Sequence, residues 1–303
     1  MTNENLVRLA TRGSALALWQ TNRVADLIRT INPDLTVEPV VISTRPDRDQ
    51  EMPLSAMGGD KGLFVKEVEL AVLDGRADAA VHSLKDVPVD VTTPGLDLVA
   101  FPERATPADV WISRDGATPH TLPAGRTVAT SAPRRRAQLL ALRPDLHVCE
   151  VRGNVETRLR KLDEGQFDAI ILAAAGLERL GLEGRITHRF TANEFLPAPG
   201  QGILVVQAPT ASTREDLWRQ LDNPAVRLQA EGERAFSRAI GATCHTAAGC
   251  LIEVNDTTVT LTAAAFSADG QRAARFTGQT HTGAIDDLVA RAAATLHEEG
   301  YPF

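Results

Sequence analysis

The sequence predicts an α/β fold with mainly parallel sheets, followed by a small α+β segment at the C-terminus. Strand-like and helix-like segments alternate along most of the 303 residues, an order typical of a parallel sheet with helices on both faces. Apolar residues make up 43% of the chain and charged residues 23%, so we expect the whole chain to fold around hydrophobic cores. Near the C-terminus, two alternating strands and a helix follow one another and predict the α+β segment.

The chain begins with a predicted strand, a turn and a helix. Ser14 follows the strand and offers a hydroxyl that can cap a helix as far as about Ile31, where apolar residues recur near helical spacing. Further on, an apolar strand leads into SLKDVP, where Pro88 stops regular structure. The predicted elements of this part are strands at 6–11, 37–42 and 77–82, helices at 14–31 and 64–73, and a mobile loop at 43–62 that is rich in charge, proline and glycine.

Two turn-rich segments, near residues 101–107 and at LPAPGQG (196–202), are predicted to cross from one domain to another. Because the chain crosses twice, we expect it to return to its first domain. The predicted domains are residues 1–101 completed by 198–221, residues 105–195, and residues 224–303. The predicted elements are strands at 127–130, 146–151, 169–173, 203–207, 258–266 and 273–280, and helices at 134–142, 155–163, 177–180, 224–240 and 284–297.

Composition argues against several classes of protein. Lys plus Arg number 32 against 39 for Asp plus Glu, and aromatic residues make up only 4%, which disfavours a nucleic-acid-binding protein. The N-terminal residues lack the pattern of a secretion signal, and no apolar run reaches the roughly 18 residues that span a bilayer. Three cysteines without CxxC spacing, and no metal-ligand spacing, predict a cytoplasmic protein without a membrane partner or a metal site.

Arginines concentrate where predicted strands end and helices begin. The segments ATRGS near residue 10 and ATSAPRR near residue 130 both place a similar turn between a strand and a helix. Helix N-termini at such places offer N–H groups to anions, and guanidinium groups pair with carboxylates. The sequence therefore predicts a site for a ligand with several carboxylates or phosphates, the alternative being solvated side chains on helix faces. The arginines concerned are Arg12, Arg134, Arg135, Arg136, Arg152, Arg158 and Arg179.

Two further segments carry residues that can do chemistry. In HSLKDVP (82–88), Lys85 and Asp86 follow a buried-looking strand, and this carboxylate either stabilises a cation and transfers a proton or simply bonds to its own turn. Cys149 and Cys250 lie in apolar strands and are predicted to be inert core thiols. Cys244 lies in a loop with Gly, Thr and His, where a structural thiol, a nucleophile, a metal ligand and a covalent attachment point all stay open.

Six ordered segments resemble the porphobilinogen deaminase (hydroxymethylbilane synthase) family over nearly the whole chain. They are ATRGSALALWQ from Ala10, GGDKGLFVKEVE from Gly58, ADAAVHSLKDVP from Ala77, RGNVETRLRKL from Arg152, DAIILAAAGLERLGL from Asp168 and LPAPGQG from Leu196. The resemblance implies two type II solute-binding-protein-like domains, a small C-terminal domain and a monomer. It also implies an active-site lid at 58–62. Pro133, which departs from the family pattern, is expected in the first turn of its helix.

The resemblance also implies an activity and the residues that serve it. Such enzymes deaminate and condense four porphobilinogen molecules into the linear tetrapyrrole hydroxymethylbilane, on a dipyrromethane cofactor held by a thioether. In this sequence the attachment cysteine matches Cys244 and the catalytic aspartate matches Asp86. The implied cofactor contacts are Ser83, Lys85, Thr130, Ser131, Arg134, Arg135, Arg152 and Arg158, and the implied substrate contacts are Arg12, Ser14, Gln20, Phe64 and Arg179.

Two rival hypotheses remain. The first is a solute-binding-like protein for an anionic ligand, without catalysis. The second is a hydrolase that uses Cys244 with a histidine. Neither rival predicts a covalently bound pigment, so the mass of the intact protein distinguishes both from the enzyme.

Overall fold

The computed structural model describes residues 5–43, 65–89, 93–243 and 245–302. The chain divides into two compact units, residues 1–105 with 202–227 and residues 106–201 with 228–303. The described residues form two five-stranded mixed sheets and one three-stranded antiparallel sheet. The predicted α/β fold class with a smaller α+β part is therefore confirmed. The predicted loop at 43–62 lies outside the described residues except for Ser43.

The sheet of the first unit has the order β2-β1-β3-β10-β4. Its strands β1, β2 and β3 run parallel, whereas β10 pairs antiparallel with both β3 and β4. The chain thus re-enters this sheet after residue 202. The elements are strands β1 (Leu6–Arg12), β2 (Thr36–Ile42), β3 (Ala79–Ser83), β4 (Leu96–Ala100) and β10 (Leu204–Pro209), and helices α1 (Ala15–Ile31), α2 (Lys66–Leu73) and α6 (Glu215–Leu221).

Helix α1 begins where the sequence predicts. The hydroxyl of Ser14 accepts a hydrogen bond from the backbone N–H of Ala17 at 3.3 Å, which satisfies one N–H of the first turn. One face of the helix buries Val24 and Ile28 in a core shared with β1 and with Trp218. The cap and the apolar face together fix the start of α1 directly after β1.

The five-stranded sheet of the second unit has the order β7-β6-β8-β5-β9. Three strands again run parallel, and β5 is the antiparallel strand inserted beside them. Each large sheet therefore has as many antiparallel as parallel strand pairs. This antiparallel share is larger than the alternation of strands and helices in the sequence predicts. The elements are strands β5 (Asp109–Ser113), β6 (Thr127–Ala129), β7 (His147–Cys149), β8 (Ala169–Ala173) and β9 (His188–Arg189), and helices α3 (Pro133–Leu142), α4 (Val155–Asp163) and α5 (Ala174–Arg179).

The C-terminal part of the second unit is an antiparallel meander covered by helices. Its elements are β11 (Ala248–Asn255), β12 (Thr258–Phe266), β13 (Ala273–His281), α7 (Pro224–Ala239) and α8 (Ile285–Glu298). The fully buried Glu233 accepts hydrogen bonds from the backbone N–H groups of Gly200 at 2.6 Å and Ile252 at 2.9 Å. This carboxylate ties the LPAPGQG segment to the meander. A separate domain at 224–303 stays a prediction, because the compact units number two.

Among the described residues, no helix is both long enough and apolar enough to cross a bilayer. Pro133 occupies the first turn of α3, as expected, where its missing N–H costs no hydrogen bond. The predicted helix at 177–180 begins earlier, at Ala174, because the chain enters α5 directly from the end of β8.

Candidate functional site

In the first unit, the candidate residues lie at the carboxyl ends of two neighbouring parallel strands. Arg12 is the last residue of β1 and Ser83 the last of β3. The two strands pair in parallel, with Ala10 opposite Ala80, so both ends reach the same edge of the sheet. Ligands bind outside this edge in open α/β sheets. Arg12 and Ser83 therefore lie at the edge where the sequence places them, and their contact with a ligand stays a prediction.

Two predicted substrate contacts also form bonds inside the unit. Gln20, on α1, is 5% exposed and donates from Nε2 to the hydroxyl of Ser83 at 2.8 Å. Ser14 uses its hydroxyl for the helix cap. The bond between Gln20 and Ser83 holds α1 against the end of β3, whereas the bond of Ser14 lies within α1. A contact of either side chain with substrate stays a prediction.

Asp86 ends a short 3-10 turn, Leu84–Asp86, that follows β3 directly. Leu84 is buried, and its N–H donates to the carbonyl of Ile203 at 3.0 Å, so the turn is anchored to the chain next to β10. Lys85 and Asp86 are exposed. Within the described parts of the chain, the Asp86 carboxylate accepts no hydrogen bond, which disfavours an aspartate bonded to its own turn. An anchored backbone therefore presents an accessible carboxylate.

Behind this turn lies a buried chain of polar groups that the sequence reasoning missed. His82 Nε2 donates to Gln207 Oε1 at 3.1 Å, and Gln207 Nε2 donates to Glu69 Oε1 at 2.9 Å. Thr93 donates its hydroxyl proton to Glu69 Oε2 at 2.8 Å. Burial lowers the pKa of His82, although the neighbouring Glu69 and the bond to Gln207 favour the charged form. The only signal in the sequence was a histidine within an otherwise apolar strand.

We expect neutral His82 to make stability depend on pH. Because its folded pKa lies below the unfolded value of about 6.5, its contribution is complete above that pH and is lost as the pH falls through the folded pKa. Urea unfolding at pH 7.5 and 5.5 measures this loss. Between these two pH values, His82→Gln should lose less unfolding free energy than the wild type. The control variant His147→Gln changes an exposed histidine and should lose as much as the wild type. Equal losses in all three proteins would contradict the prediction.

In the second unit, hydroxyl groups follow β6 at the start of α3. Thr130 is 4% exposed, and its Oγ1 accepts from the N–H of Ala132 at 3.3 Å. The Ser131 hydroxyl donates to the carbonyl of Val151 and accepts from the N–H of the same residue at 3.1 Å. The segment that precedes α3 is thereby held to the chain that follows β7.

Arg134 and Arg135 converge on one fully buried carboxylate. Arg134 Nη1 lies 2.6 Å from Asp109 Oδ2, and Arg135 Nη2 lies 2.7 Å from Asp109 Oδ1. Both arginines are less than a tenth exposed, so the alternative of solvated helix-face side chains is wrong for them. Arg134 also donates to the carbonyl of Leu196, and Gln201 Nε2 donates to Asp109 Oδ1 at 3.0 Å. The sequence reasoning missed Asp109 because it begins a strand that was not predicted.

The two arginines keep the buried Asp109 ionised. Burial alone would raise the pKa of Asp109, but the charges of Arg134 and Arg135 outweigh burial and hold that pKa far below its usual range. Burial also lowers the pKa of Arg134, against the attraction of Asp109. Two guanidinium groups share one carboxylate, so the group keeps a surplus of one positive charge in a buried setting. Such a charge binds carboxylates more strongly than an exposed one.

The other predicted arginines of this unit follow β7 and β8. Arg158, on α4, donates from Nε to the carbonyl of Gly153 at 2.8 Å, and Lys161 donates to the carbonyl of Arg152 at 3.3 Å. Gly153 has φ +110°, and a Cβ there would lie 2.6 Å from the Thr157 side chain. This position therefore requires glycine. Arg179 ends α5 and is 7% exposed.

Not every predicted residue falls within the described structure. Phe64 and Cys244 lie outside the described residues, as do residues 58–62. Cys250 is buried in the core of the meander, as predicted, whereas Cys149 is only half-buried against the core of the second unit. Burial raises the pKa of the Cys149 thiol, and the inertness of both thiols stays a prediction. The remaining candidates form two groups, one in each compact unit.

Three comparisons identify the relatives of this chain. A family model described as "Porphobilinogen deaminase, dipyromethane cofactor binding domain" matches residues 7–216. Porphobilinogen deaminases of Xanthomonas campestris pv. campestris (strain B100) and Stenotrophomonas maltophilia (strain K279a) are each 46% identical to it over 295 residues. These matches cover 97% of this chain and, respectively, 96% and 97% of the two relatives. The porphobilinogen deaminase of Xylella fastidiosa (strain 9a5c) is 50% identical over 80% of both chains.

The solved structures that resemble this chain have lower sequence identity to it than these relatives do. The VFT2 domain of BvgS from Bordetella pertussis, as a double mutant, has a TM-score of 0.44 and 17% identity, covering 76% of this chain and 93% of that one. The methionine binding protein MetQ has a TM-score of 0.44 and 12% identity, covering 76% of this chain and 95% of that one. The extent and identity of the sequence matches, over the segments that carry the candidate site, are decisive: this chain belongs to the porphobilinogen deaminase family.

Proposed function

We propose that the protein is a hydroxymethylbilane synthase, a transferase that deaminates four porphobilinogen molecules and condenses them into the linear tetrapyrrole of haem biosynthesis. The observation that carries the proposal is the accessible Asp86 carboxylate on an anchored turn. It stands in a chain that is 46% identical, over 97% of its length, to a porphobilinogen deaminase.

Asp86 is the proposed catalytic residue. Loss of ammonia from an aminomethylpyrrole leaves a cationic azafulvene, and a fixed carboxylate stabilises such a cation. The same group can hold and return a proton as the new carbon–carbon bond forms. The 3-10 turn keeps its backbone in place, and the short side chain leaves little freedom to reorient. General acid–base work of this kind contributes about 10²- to 10⁴-fold to a rate.

The arginine group of the second unit fits the dipyrromethane cofactor. Each pyrrole ring carries two carboxylates, and the surplus positive charge of Arg134 and Arg135 over Asp109 suits an anion of this kind. When bound, the cofactor supplies the pyrrole carbon on which the chain starts. The residues proposed to hold it are Cys244 through a thioether, with Ser83, Lys85, Thr130, Ser131, Arg134, Arg135, Arg152 and Arg158; those proposed for substrate are Arg12, Ser14, Gln20, Phe64 and Arg179.

The mass of the intact protein tests the cofactor and its attachment. Protein from a host that makes porphobilinogen should carry an adduct of two linked pyrrole units and react with Ehrlich's reagent. Cys244→Ser should remove both signals, because the thioether has no other sulfur in that loop. Cys149→Ser, which changes a half-buried thiol elsewhere, should keep both. An unmodified wild-type mass would instead favour one of the two rivals, a solute-binding-like protein without catalysis or a hydrolase that uses Cys244.

We further propose that the protein works as a monomer in the cytoplasm. The location is supported by the three cysteines without CxxC spacing, which suit a reducing compartment, and the monomer is supported by the resemblance to the family alone. Light scattering coupled to size exclusion should give the mass of one chain. A stable dimer at micromolar concentration would contradict the monomer.

A further inference from the structure

Two histidines and a glutamate, none of them a predicted site residue, converge in the second unit. His120 lies in the loop between β5 and β6, His188 begins β9, and Glu194 lies in the turn after β9. The Nε2 atoms of His120 and His188 lie 3.9 and 3.8 Å from the same carboxylate oxygen, Glu194 Oε1. All three possible ligand atoms lie within 4.8 Å of one another. Their separation along the chain hid this group from the sequence.

The carboxylate is oriented by bonds that leave one oxygen for a ligand. Glu194 Oε2 accepts from the N–H of Thr191 at 2.9 Å and from its hydroxyl at 2.7 Å. These two bonds fix the orientation of the carboxylate. Oxygen Oε1 remains directed towards both imidazoles. Bonds of this kind to the second oxygen orient metal-binding carboxylates in proteins.

The imidazole of His188 is held by packing and has an unsatisfied nitrogen. Its ring meets that of Phe190 edge to face, with centroids 5.0 Å apart, and Phe190 stacks on Phe195. Its Nε2 is buried and, among the described residues, has no hydrogen-bond partner. The distance of 3.8 Å to Glu194 Oε1 is too long for a hydrogen bond. A buried polar atom in this state calls for a ligand or a water.

The spacing suits a divalent transition metal. Zinc binds imidazole nitrogen and carboxylate oxygen at about 2.0–2.2 Å in tetrahedral geometry, which places neighbouring ligand atoms roughly 3.4 Å apart. The two nitrogen-to-oxygen distances here, 3.9 and 3.8 Å, are a few tenths of an ångström longer, and the two nitrogens lie within 4.8 Å of one another. His120 is exposed and can close this gap by a small movement. Imidazole and carboxylate ligands favour zinc and its neighbours over magnesium or calcium.

We propose that His120, His188 and Glu194 form a binding site for a divalent transition metal of the zinc class. The metal bridges the loop before β6 to edge strand β9 and the turn that follows it. Because the site requires these folded segments to meet, bound metal stabilises the folded protein. With three protein ligands, a tetrahedral ion would have one further position for water. The site is independent of the proposed tetrapyrrole chemistry.

Zinc titration of the untagged, chelator-treated holoprotein tests the site. Competition with a chromogenic chelator should show one tightly bound Zn²⁺ per chain, and the ion should raise the melting temperature. His120→Ala should weaken binding at least about tenfold and remove the thermal shift. Because this side chain is exposed, the metal-free variant should melt as the wild type does. Glu194→Gln should weaken binding in the same way.

The control variant is His147→Ala, an exposed histidine on β7 whose strand also carries Cys149. It should bind zinc as the wild type does. Cobalt substitution identifies the ligand class, since nitrogen and oxygen ligands give weak visible bands without the strong near-ultraviolet band of a thiolate. Absence of binding up to millimolar zinc, an unchanged affinity in His120→Ala, or a thiolate band would each overturn the proposal. The three residues would then be only a histidine–glutamate ion pair.

Discussion

Asp86→Asn should lower turnover by about 10²- to 10⁴-fold, since the amide can neither carry the negative charge nor exchange the proton. The side chain is exposed and, among the described residues, accepts no hydrogen bond, so the variant should keep the wild-type melting temperature. The rate of tetrapyrrole formation from porphobilinogen, followed by absorbance after oxidation of the product, measures the effect.

A matched control separates this role from a general effect of charge. Asp97→Asn removes an exposed carboxylate from β4 in the same unit and should leave turnover unchanged. The intact mass of Asp86→Asn should still show the pyrrole adduct, which shows that the rate fell with the primer present. If the turnover of Asp86→Asn fell less than tenfold while the adduct and the fold stayed intact, Asp86 would not be the catalytic residue.

Asp109→Asn should destabilise the second unit by about 3–5 kcal/mol, because it leaves two buried guanidinium groups without their shared carboxylate. Asparagine keeps the shape of the side chain, so the loss reports the charge rather than a cavity. Urea unfolding at pH 7 measures it. Asp163→Asn, which breaks the exposed ion pair with Arg185, should cost at most about 1 kcal/mol. Similar losses in the two variants would contradict the role assigned to Asp109.

The same pair of arginines makes Asp109 a source of acid sensitivity. Its folded pKa lies below the unfolded value of about 3.9, so the contribution of Asp109 is complete above that pH. This contribution is lost as the pH falls from the pKa of Asp109 in the unfolded protein towards its lower pKa in the folded protein. The wild type should therefore lose stability between about pH 4 and 2 more steeply than Asp109→Asn does.

Local patterns in the sequence predict most of the regular elements. The cap at Ser14, the helix at α4 and the strand at β8 are confirmed, because each follows from propensity and apolar spacing within its own segment. Strands β4, β5 and β9 were not predicted. Each is short and depends on antiparallel pairing with a strand that is distant in the chain. Such pairing leaves little trace in local periodicity.

The sequence by itself determined which edge of each large sheet carries the candidate residues, because a strand, a turn and a helix start can be read locally. It also placed Asp86 directly after a buried strand. Only the tertiary structure decided which groups these residues meet. Asp109 beside Arg134, Gln207 beside His82, and Glu194 beside His120 all join distant parts of the chain. Long-range packing brings them together, and no spacing in the sequence records which charges and hydrogen bonds result.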